Sequence, residues 1–225
     1  MAIELNPRFA EAYVIRGNAY NEKGMYDKAV SDYNKAIGIN PRYAEAYFFR
    51  GNAYRKKGQH DKAISDFSMA IELNPRYAEA YVIRGSFYVV IGQYDMAISD
   101  LNKAIEINPR DAEAYFFRGN AYSVKGHYDE AISDFSMTIE LNPRDAAAYN
   151  RRGSVYGAIG QYDMAISDYS MAIELNPRYA EAYNNRGVEY GIKGQYDKAC
   201  PDLKQACELG SCEALDYSKR NSYCK

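Results

Sequence analysis

The side chains of this chain that could carry chemistry are few, and most recur at a fixed spacing. There are two histidines, His60 and His127, with no second histidine or cysteine beside either. Five serines each precede an aspartate: Ser31, Ser65, Ser99, Ser133 and Ser167. Nucleophilic catalysis needs a general base within reach of the nucleophile, and none of these pairs has one next to it. The glycines form no clustered phosphate loop. We therefore predict no catalytic residues, no cofactor and no metal site, so the chain is expected not to be an enzyme.

The balance of charges excludes two classes of partner. Lys and Arg number 28 against 30 Asp and Glu, a formal net charge of -2. Nucleic acids and anionic membranes are bound through an excess of positive charge, so we expect no nucleic-acid partner. No apolar run approaches the roughly 20 residues of a membrane-spanning helix, and we expect no membrane insertion. No signal segment opens the chain. The sequence leaves localisation open, with the cytoplasm as the default.

An internal sequence repeat predicts the secondary-structure elements on which these residues lie. The tripeptide Asn-Pro-Arg recurs every 34 residues, starting at Asn6, Asn40, Asn74, Asn108, Asn142 and Asn176. A cut before each segment related to Ala-Glu-Ala-Tyr gives six repeats: 10–43, 44–77, 78–111, 112–145, 146–179 and 180–213.

Each repeat is predicted to form two helices. The first begins at the Ala that follows the Pro-Arg step, because proline suits the opening of a helix, and it ends near a lone glycine such as Gly24. That glycine supplies the turn, and Asp27 can cap or charge the start of the second helix. The second helix ends at the Asn before the next Pro, since the residue before proline is disfavoured in helical geometry.

A 34-residue unit with aromatic, Gly, Ala and Pro residues at these offsets resembles the tetratricopeptide repeat. In the second repeat the matching residues are Tyr47, Gly51, Tyr54, Ala63, Phe67, Ala70 and Pro75. The chain departs from the family where Tyr replaces a frequent Trp, and where Arg16 and its equivalents replace a frequent Leu. The resemblance implies an all-α fold, a right-handed superhelical α-solenoid of antiparallel helix pairs, with a concave groove lined by the first helices.

The candidate partner-binding residues lie on the side of the first helices that is expected to face this groove. At about 100° per residue, positions such as the fifth, sixth, ninth and twelfth of a repeat share one arc, and the repeats differ from one another there. The arc is apolar in repeats one to four and polar in repeats five and six. The candidates are Val14, Ile15, Asn18, Phe48, Phe49, Asn52, Val82, Ile83, Ser86, Val89, Phe116, Phe117, Asn120, Asn150, Arg151, Asn184 and Asn185.

Three interpretations of this surface remain open. In the first, an apolar peptide or partner helix lies in the groove, and Asn side chains pair with its backbone. In the second, one residue of each apolar pair packs between neighbouring first helices. In the third, a second copy of the chain fills the groove. The alternation of Val-Ile with Phe-Phe is also compatible with a duplication of two repeats, which would make the pattern inherited rather than selected for a ligand.

These observations predict a non-catalytic protein–protein interaction scaffold. The alternative is a substrate-recruiting arm of a larger enzyme whose catalytic domain lies outside this chain. The identity of the partner is not encoded in the repeat pattern.

The two ends of the chain carry separate expectations. Residues 1–9 match the last nine positions of a repeat, so we expect them to be the tail of a truncated preceding repeat. An apolar face left without its neighbour at this end favours self-association. Residues 214–225 keep the repeat register and are expected to form a polar C-terminal cap helix and tail.

The cysteines are confined to the C-terminal end. Cys200 and Cys207 fall where other repeats carry residues such as Val30 and Ile37, so they are expected to be small core residues. Cys212 and Cys224 flank the last segment and are a possible disulfide pair, which would imply an oxidising compartment. Reduced thiols are the default expectation.

Overall fold

The computed structural model describes residues 8–220 and residue 224. In these residues the regular secondary structure is entirely α-helical, and the predicted all-α class of tandem helix pairs is confirmed. The chain divides into two compact units, Met1–Pro109 and Arg110–Lys225. Across the described ranges, no helix combines the length and the apolar character that crossing a membrane requires.

The described part of the first unit consists of three helix pairs. They are α1 (Ala10–Glu22) with α2 (Tyr26–Ile39), α3 (Ala44–Lys56) with α4 (His60–Leu73), and α5 (Ala78–Val90) with α6 (Tyr94–Ile107).

The described part of the second unit consists of three further pairs and a last short helix. They are α7 (Ala112–Val124) with α8 (Tyr128–Leu141), α9 (Ala146–Ala158) with α10 (Tyr162–Leu175), α11 (Ala180–Ile192) with α12 (Tyr196–Glu208), and α13 (Glu213–Arg220).

The Asn-Pro-Arg tripeptide forms the turn between successive pairs. Asn74 ends α4 with φ -135° and ψ 89°, outside helical geometry, because the proline that follows disfavours a helical conformation. Its side-chain oxygen accepts a hydrogen bond from the backbone N–H of Arg76 at 3.1 Å. Its backbone oxygen accepts one from Tyr77 at 3.0 Å. The chain therefore turns tightly and starts α5 at Ala78, so Pro75 lies in the turn and not in the first helical turn.

The lone glycine makes the turn within each pair. Gly58 has φ 70°, in the left-handed region of backbone conformation that residues other than glycine rarely adopt. The predicted capping role of the aspartate is not seen in α4, because Gln59 is the N-cap residue and makes no side-chain hydrogen bond. Asp61 instead places its negative charge in the first turn, where it meets the positive end of the helix dipole.

The two helices of a pair meet at a second glycine. A Cβ on Gly51 of α3 would lie 2.8 Å from the ring of Phe67 on α4, so this close approach requires glycine. Phe67 is fully buried between the equally buried Ala63 and Ala70. The same contact recurs in the other pairs with Tyr33, Leu101, Phe135, Tyr169 and Leu203.

A bidentate ion pair links the helices of each pair and accounts for the recurring aspartate of the Ser-Asp motif. Arg50 donates from Nε to Asp66 Oδ2 at 2.8 Å and from Nη2 to Asp66 Oδ1 at 2.7 Å. Hydrogen bonding to Asp66 raises the pKa of Arg50 above its usual value. The equivalent pairs are Arg16–Asp32, Arg84–Asp100, Arg118–Asp134, Arg152–Asp168 and Arg186–Asp202. The arginine that departs from the family pattern is thus matched by a buried carboxylate.

The same arginine also ties consecutive repeats together within each unit. In the first unit, Arg50 Nη1 donates to Asn34 Oδ1 at 2.7 Å, and Arg84 Nη1 donates to Ser68 Oγ at 2.8 Å. In the second unit, the corresponding bonds join Arg152 to Ser136 and Arg186 to Ser170. The guanidinium group of Arg50 therefore joins its own helix α3 to α4 of the same repeat and to α2 of the preceding repeat. These bonds fix the position of α3 relative to α2.

Two disulfides hold the end of the second unit, and they correct the cysteine prediction. Cys200 bonds to Cys224, and Cys207 bonds to Cys212. The predicted bridge between Cys212 and Cys224 is therefore wrong, and so is the default of reduced thiols. Cys200 and Cys207 are two helical turns apart and share one side of α12. Leu203 lies on that side in contact with Leu215 and Cys224, so each cysteine of α12 reaches a different partner in the segment that follows.

The predictions for the chain ends fall partly beyond the described residues. Of the tail predicted at residues 1–9, the structure describes Arg8 and Phe9 alone. Of the cap predicted at 214–225, it describes 214–220, which belong to α13, and Cys224.

Candidate partner-binding surface

The first-helix face is the name we give to the side chains at the fifth, sixth, ninth, twelfth and thirteenth positions of α1, α3, α5, α7, α9 and α11. It contains the partner-binding residues predicted from the sequence. The side chains at the fifth and sixth positions differ in solvent exposure, although they are adjacent in sequence. This difference shows which of them pack in the core and which are accessible.

The fifth position mostly serves the core, which corrects part of the prediction. Val14, Phe48, Val82 and Asn150 are all buried, so their side chains are not available to a partner. Phe48 shows the reason, because its ring lies 5.8 Å from that of Phe67 and 4.7 Å from that of Tyr77. The side chain fills the space between α3, α4 and the turn to the next repeat. The burial of Val14, Phe48 and Val82 is in keeping with a packing role for one member of each apolar pair, although Phe48 contacts α4 and the turn.

In the first unit the sixth position is the more exposed member of each pair. Ile15 is 68% exposed, while Phe49 and Ile83 are half-buried. The Phe49 ring rests on its neighbours, 5.5 Å from Phe48 and 6.3 Å from Tyr33 between centroids. Its remaining surface faces outward. Val90, at the thirteenth position of α5, is 80% exposed. The first unit thus presents apolar side chains from all three of its first helices.

The polar side chains on this face of the first unit are either hydrogen-bonded or buried. Asn18 Oδ1 accepts a hydrogen bond from the Tyr33 hydroxyl at 2.7 Å, and Ser86 Oγ donates to the backbone oxygen of Ile83 at 2.8 Å. The side-chain oxygens of Asn21 and Asn52 are buried and have no hydrogen-bond partner among the described residues. Because they are buried, these two oxygens are not accessible to a partner.

The second unit begins with an apolar stretch on α7. Phe116 and Phe117 are both half-buried, and their rings make an edge contact at 5.7 Å. Phe116 also contacts Phe135 at 5.9 Å, so it contributes to packing as Phe48 does. Val124 is 63% exposed at the end of the helix. The half-buried Asn120 lies one turn before it.

The remaining two first helices of the second unit carry a polar network. Asn150 donates from Nδ2 to the Tyr179 hydroxyl and accepts from Asn185 Nδ2, both at 3.3 Å. Arg151 Nη1 lies 3.3 Å from Glu181 Oε1 in an exposed ion pair. Asn184 is half-buried beside them. These side chains are largely satisfied by one another, which sets this region apart from the apolar face of the first unit.

One polar residue of this region was missed by the sequence analysis. Glu189, at the tenth position of its repeat, is buried, and burial raises the pKa of its carboxyl group. The other repeats carry apolar residues there: Ala19, Ala53, Phe87, Ala121 and Val155. When the six repeats are aligned with one another, a charged residue stands at this position only in the sixth. This was the signal available in the sequence.

No grouping of three or more potential metal ligands occurs in the described residues. The described first-helix face is mainly apolar in the first unit and on α7, and polar on α9 and α11.

Family models match most of the chain. A model described as tetratricopeptide repeat matches residues 44–77, 112–145 and 146–179. A second, described as TPR repeat, matches 17–54 and 85–126. A third, also described as tetratricopeptide repeat, matches 1–31 and 169–200. None of the curated proteins matches the chain in sequence.

Solved structures similar to this chain include TPR proteins. MamA is 31% identical over 76% of this chain and 96% of its own, with a TM-score of 0.67. YrrB, described as a TPR protein with an unusual peptide-binding site, is 28% identical over 80% of this chain and 93% of its own, with a TM-score of 0.71. PilF of Pseudomonas aeruginosa shares the fold at 18% identity, with a TM-score of 0.80 over 94% of this chain and 97% of its own.

Proposed function

Because the chain belongs to the tetratricopeptide repeat family, we propose that it is a non-catalytic scaffold that binds a peptide or helix of a partner protein on its first-helix face. TPR proteins bind peptides or other proteins, and the peptide-binding site ascribed to YrrB is in keeping with this proposal.

The observation that carries the proposal is that apolar side chains at corresponding places on successive helices are exposed or only partly covered. In the first unit, Ile15, Phe49 and Ile83 occupy the sixth position of three consecutive first helices, and Val90 adds to them. Apolar side chains that recur on one face and keep part of their surface uncovered mark contact surfaces. Their buried neighbours at the fifth position fix the rotation of each helix, so the exposed residues are held in place.

The chemistry of this face suggests what a partner presents. Apolar side chains would pack against Ile15, Phe49 and Ile83. In the second unit the same kind of contact is proposed for Phe117 and Val124, and polar contacts for α9 and α11.

The setting of the chain is part of the proposal. The two disulfides are in keeping with an oxidising compartment. A recruiting arm of a larger enzyme would use the same face, so the binding experiment below applies to either setting.

A selection from a displayed library of random peptides tests the proposal, followed by affinity measurement with fluorescence anisotropy. We expect the wild-type chain to enrich peptides with regularly spaced apolar residues. A double variant, Phe49→Ala with Ile83→Ala, should bind them at least about tenfold more weakly, as expected for central contact residues. Met96→Ala is the matched control, because Met96 is an exposed apolar residue on the second helix α6. Failure to enrich any peptide, or equal affinity for both variants, would refute the proposal.

A further inference from the structure

An apolar cavity of about 250 Å³ lies at the end of the second unit, between α11, α12 and α13. The buried residues Ala199, Leu203 and Cys224 form part of its wall. Ile192 and Tyr196 also line the cavity, and both side chains are exposed. The cavity therefore has a buried apolar floor and a rim that is open to solvent.

The serine in the wall of this cavity is already engaged. Ser218 is buried, and its Oγ donates a hydrogen bond to the backbone oxygen of Leu215 at 2.7 Å. Apart from the Tyr196 hydroxyl, the other side chains that line the cavity are apolar. A bound water molecule needs about two to four polar partners, so this wall suits an apolar group better than water.

An earlier helix pair shows what fills the corresponding space. Phe87, the tenth residue of the third repeat, places its ring 5.3 Å from His60 and 6.3 Å from Phe67 between centroids. His60 and Phe67 are the seventeenth and twenty-fourth residues of the second repeat, as Tyr196 and Leu203 are of the sixth. The place that is a cavity in the last pair thus holds an aromatic ring, carried by the next helix, in the second pair.

Two further pairs follow the same arrangement. In each, the tenth residue of the following repeat shares a core cluster with the twentieth and twenty-fourth residues, which correspond to Ala199 and Leu203. The clusters join Ala53 with Ala29 and Tyr33, and Val155 with Ala131 and Phe135. In the last pair the tenth position of the register falls on Tyr223, which lies outside the described residues.

The helix α11 departs from the other first helices beside this cavity. Val188, which lines it, is the ninth residue of its repeat, where the other five repeats carry Asn or Ser. Gly191 lines it too, and a Cβ built there would meet no atom within 4 Å. With Ile192, these residues hold the ninth, twelfth and thirteenth positions of α11, which belong to the first-helix face. The cavity therefore adjoins the proposed partner-binding surface and adds an apolar site to its polar part.

From this geometry we infer that the cavity is the anchor site for one aromatic side chain, of the size of phenylalanine, carried by a helix of the partner protein. This inference rests on the proposed function, because the side chain belongs to the bound partner. An apolar cavity of about 150 Å³ accommodates benzene, so the volume present here is sufficient for a phenylalanine ring. Such a ring would cover the exposed surface of Val188 and Ile192, and aromatic side chains that fill pockets are frequent anchors of protein interfaces.

An NMR titration with two small probes tests this inference. The probes are N-acetyl-phenylalanine methylamide and, as the control without a ring, N-acetyl-alanine methylamide. We expect saturable shifts of the Ala199 and Ala214 amide signals with the phenylalanine probe and no saturation with the alanine probe. Gly191→Leu places a side chain in the open space at the cavity wall and should weaken the binding at least about tenfold. Gly38→Leu is the matched control, because Gly38 is a glycine of α2 whose Cβ would also meet no atom within 4 Å.

A second variant separates a change of chemistry from a change of shape. Val188→Asn introduces the residue type that other repeats carry at the ninth position, and it should weaken the binding of the phenylalanine probe about fivefold through the lost apolar contact. Leucine and asparagine both favour a helix more than glycine does, and circular dichroism shows whether the helices of each variant are retained.

The outcomes distinguish this inference from the proposed function. Equal affinity of wild type and Gly191→Leu for the phenylalanine probe would overturn the anchor site, as would equal responses to the two probes. Saturation that appears only in Tyr223→Ala would also overturn it, because the chain's own tyrosine would then take the place of the partner's ring. If the displayed library yields peptides while the phenylalanine probe does not saturate, the anchor site fails and the proposed function stands. Saturation that Gly191→Leu removes would support the site even if the library yielded no peptide.

Discussion

The first helices of repeats one to three and those of repeats five and six share one framework but present different surfaces. In both regions a first-helix arginine holds a buried aspartate on the second helix, and a glycine lets the two helices touch. The exposed positions then diverge, from Ile15 and Phe49 in the first unit to Arg151 and Asn185 in the second. This framework consists of the ion pair and the glycine contact inside each helix pair. Each repeat must make these contacts in order to stack on its neighbours. The exposed positions carry no such constraint, so they are free to differ in the partner chemistry they offer.

The fifth and sixth positions show how closely these two roles can lie. Phe48 and Phe49 are consecutive and identical in type, yet one is buried in the core and the other is only half-buried. The three predictions below test whether framework and surface can be altered separately, in order of decreasing effect.

Truncation of the core phenylalanine should have the largest effect on stability. Phe48→Ala removes a buried ring that contacts Phe67 and Tyr77, so we expect a loss of about 4 kcal/mol in the free energy of unfolding. Phe49→Ala should cost clearly less, because the ring is half-buried, but it should weaken peptide binding. Urea unfolding of the two variants provides the comparison. Equal losses in stability would show that the fifth and sixth positions do not differ in role.

Removal of the framework carboxylate should have a similar effect in both regions. Asp66→Ala and Asp168→Ala each leave a mostly buried arginine without its partner, and we expect each to lose about 3 kcal/mol. Asp32→Ala should lose less, because the side chain of Arg16 is 42% exposed and solvent screens its charge. Thermal and urea unfolding measure the three variants side by side. A much larger loss for Asp66 than for Asp168 would contradict a common framework.

The pH dependence of stability should single out the polar region, with the smallest effect of the three. Burial raises the pKa of Glu189 in the folded chain, so the folded state binds this proton more tightly than the unfolded state. The favourable contribution is complete below the unfolded pKa and is lost as the pH rises through the folded pKa. Glu189→Gln should therefore be more stable than wild type at neutral pH and about equal near pH 4, close to the usual pKa of glutamate. Unfolding curves at both pH values, with Glu181→Gln as control, decide this. If the difference in the free energy of unfolding between wild type and Glu189→Gln were the same at both pH values, the charge of Glu189 would not be the cause of that difference.

The fold was largely predictable because its signals are local. Asn74 ends a helix since proline follows it, and Gly58 turns the chain because it tolerates positive φ. These effects involve neighbours in sequence and recur with the period, so one correct interpretation applies to all six repeats.

The candidate surface was only partly predictable. A rotation of about 100° per residue about the helix axis places the fifth and sixth positions on the same side. This rotation alone does not determine which of the two side chains a neighbouring helix covers. The ion pair of Arg50 with Asp66 joins residues 16 apart, a spacing that no helical periodicity suggests. The glycine gap that admits Glu189 likewise depends on two repeats meeting.

The sequence by itself determined that residues 10–208 form tandem pairs of helices, that the frame of the sequence repeat is constant, and that one arc of the first helices varies. Tertiary structure decided which members of that arc are exposed, which cysteines pair, and that Glu189 lies buried against Gly157. The physical reason is that periodicity describes one helix at a time. Burial, disulfide pairing and the compensation of charge depend on what a second element brings within a few ångströms.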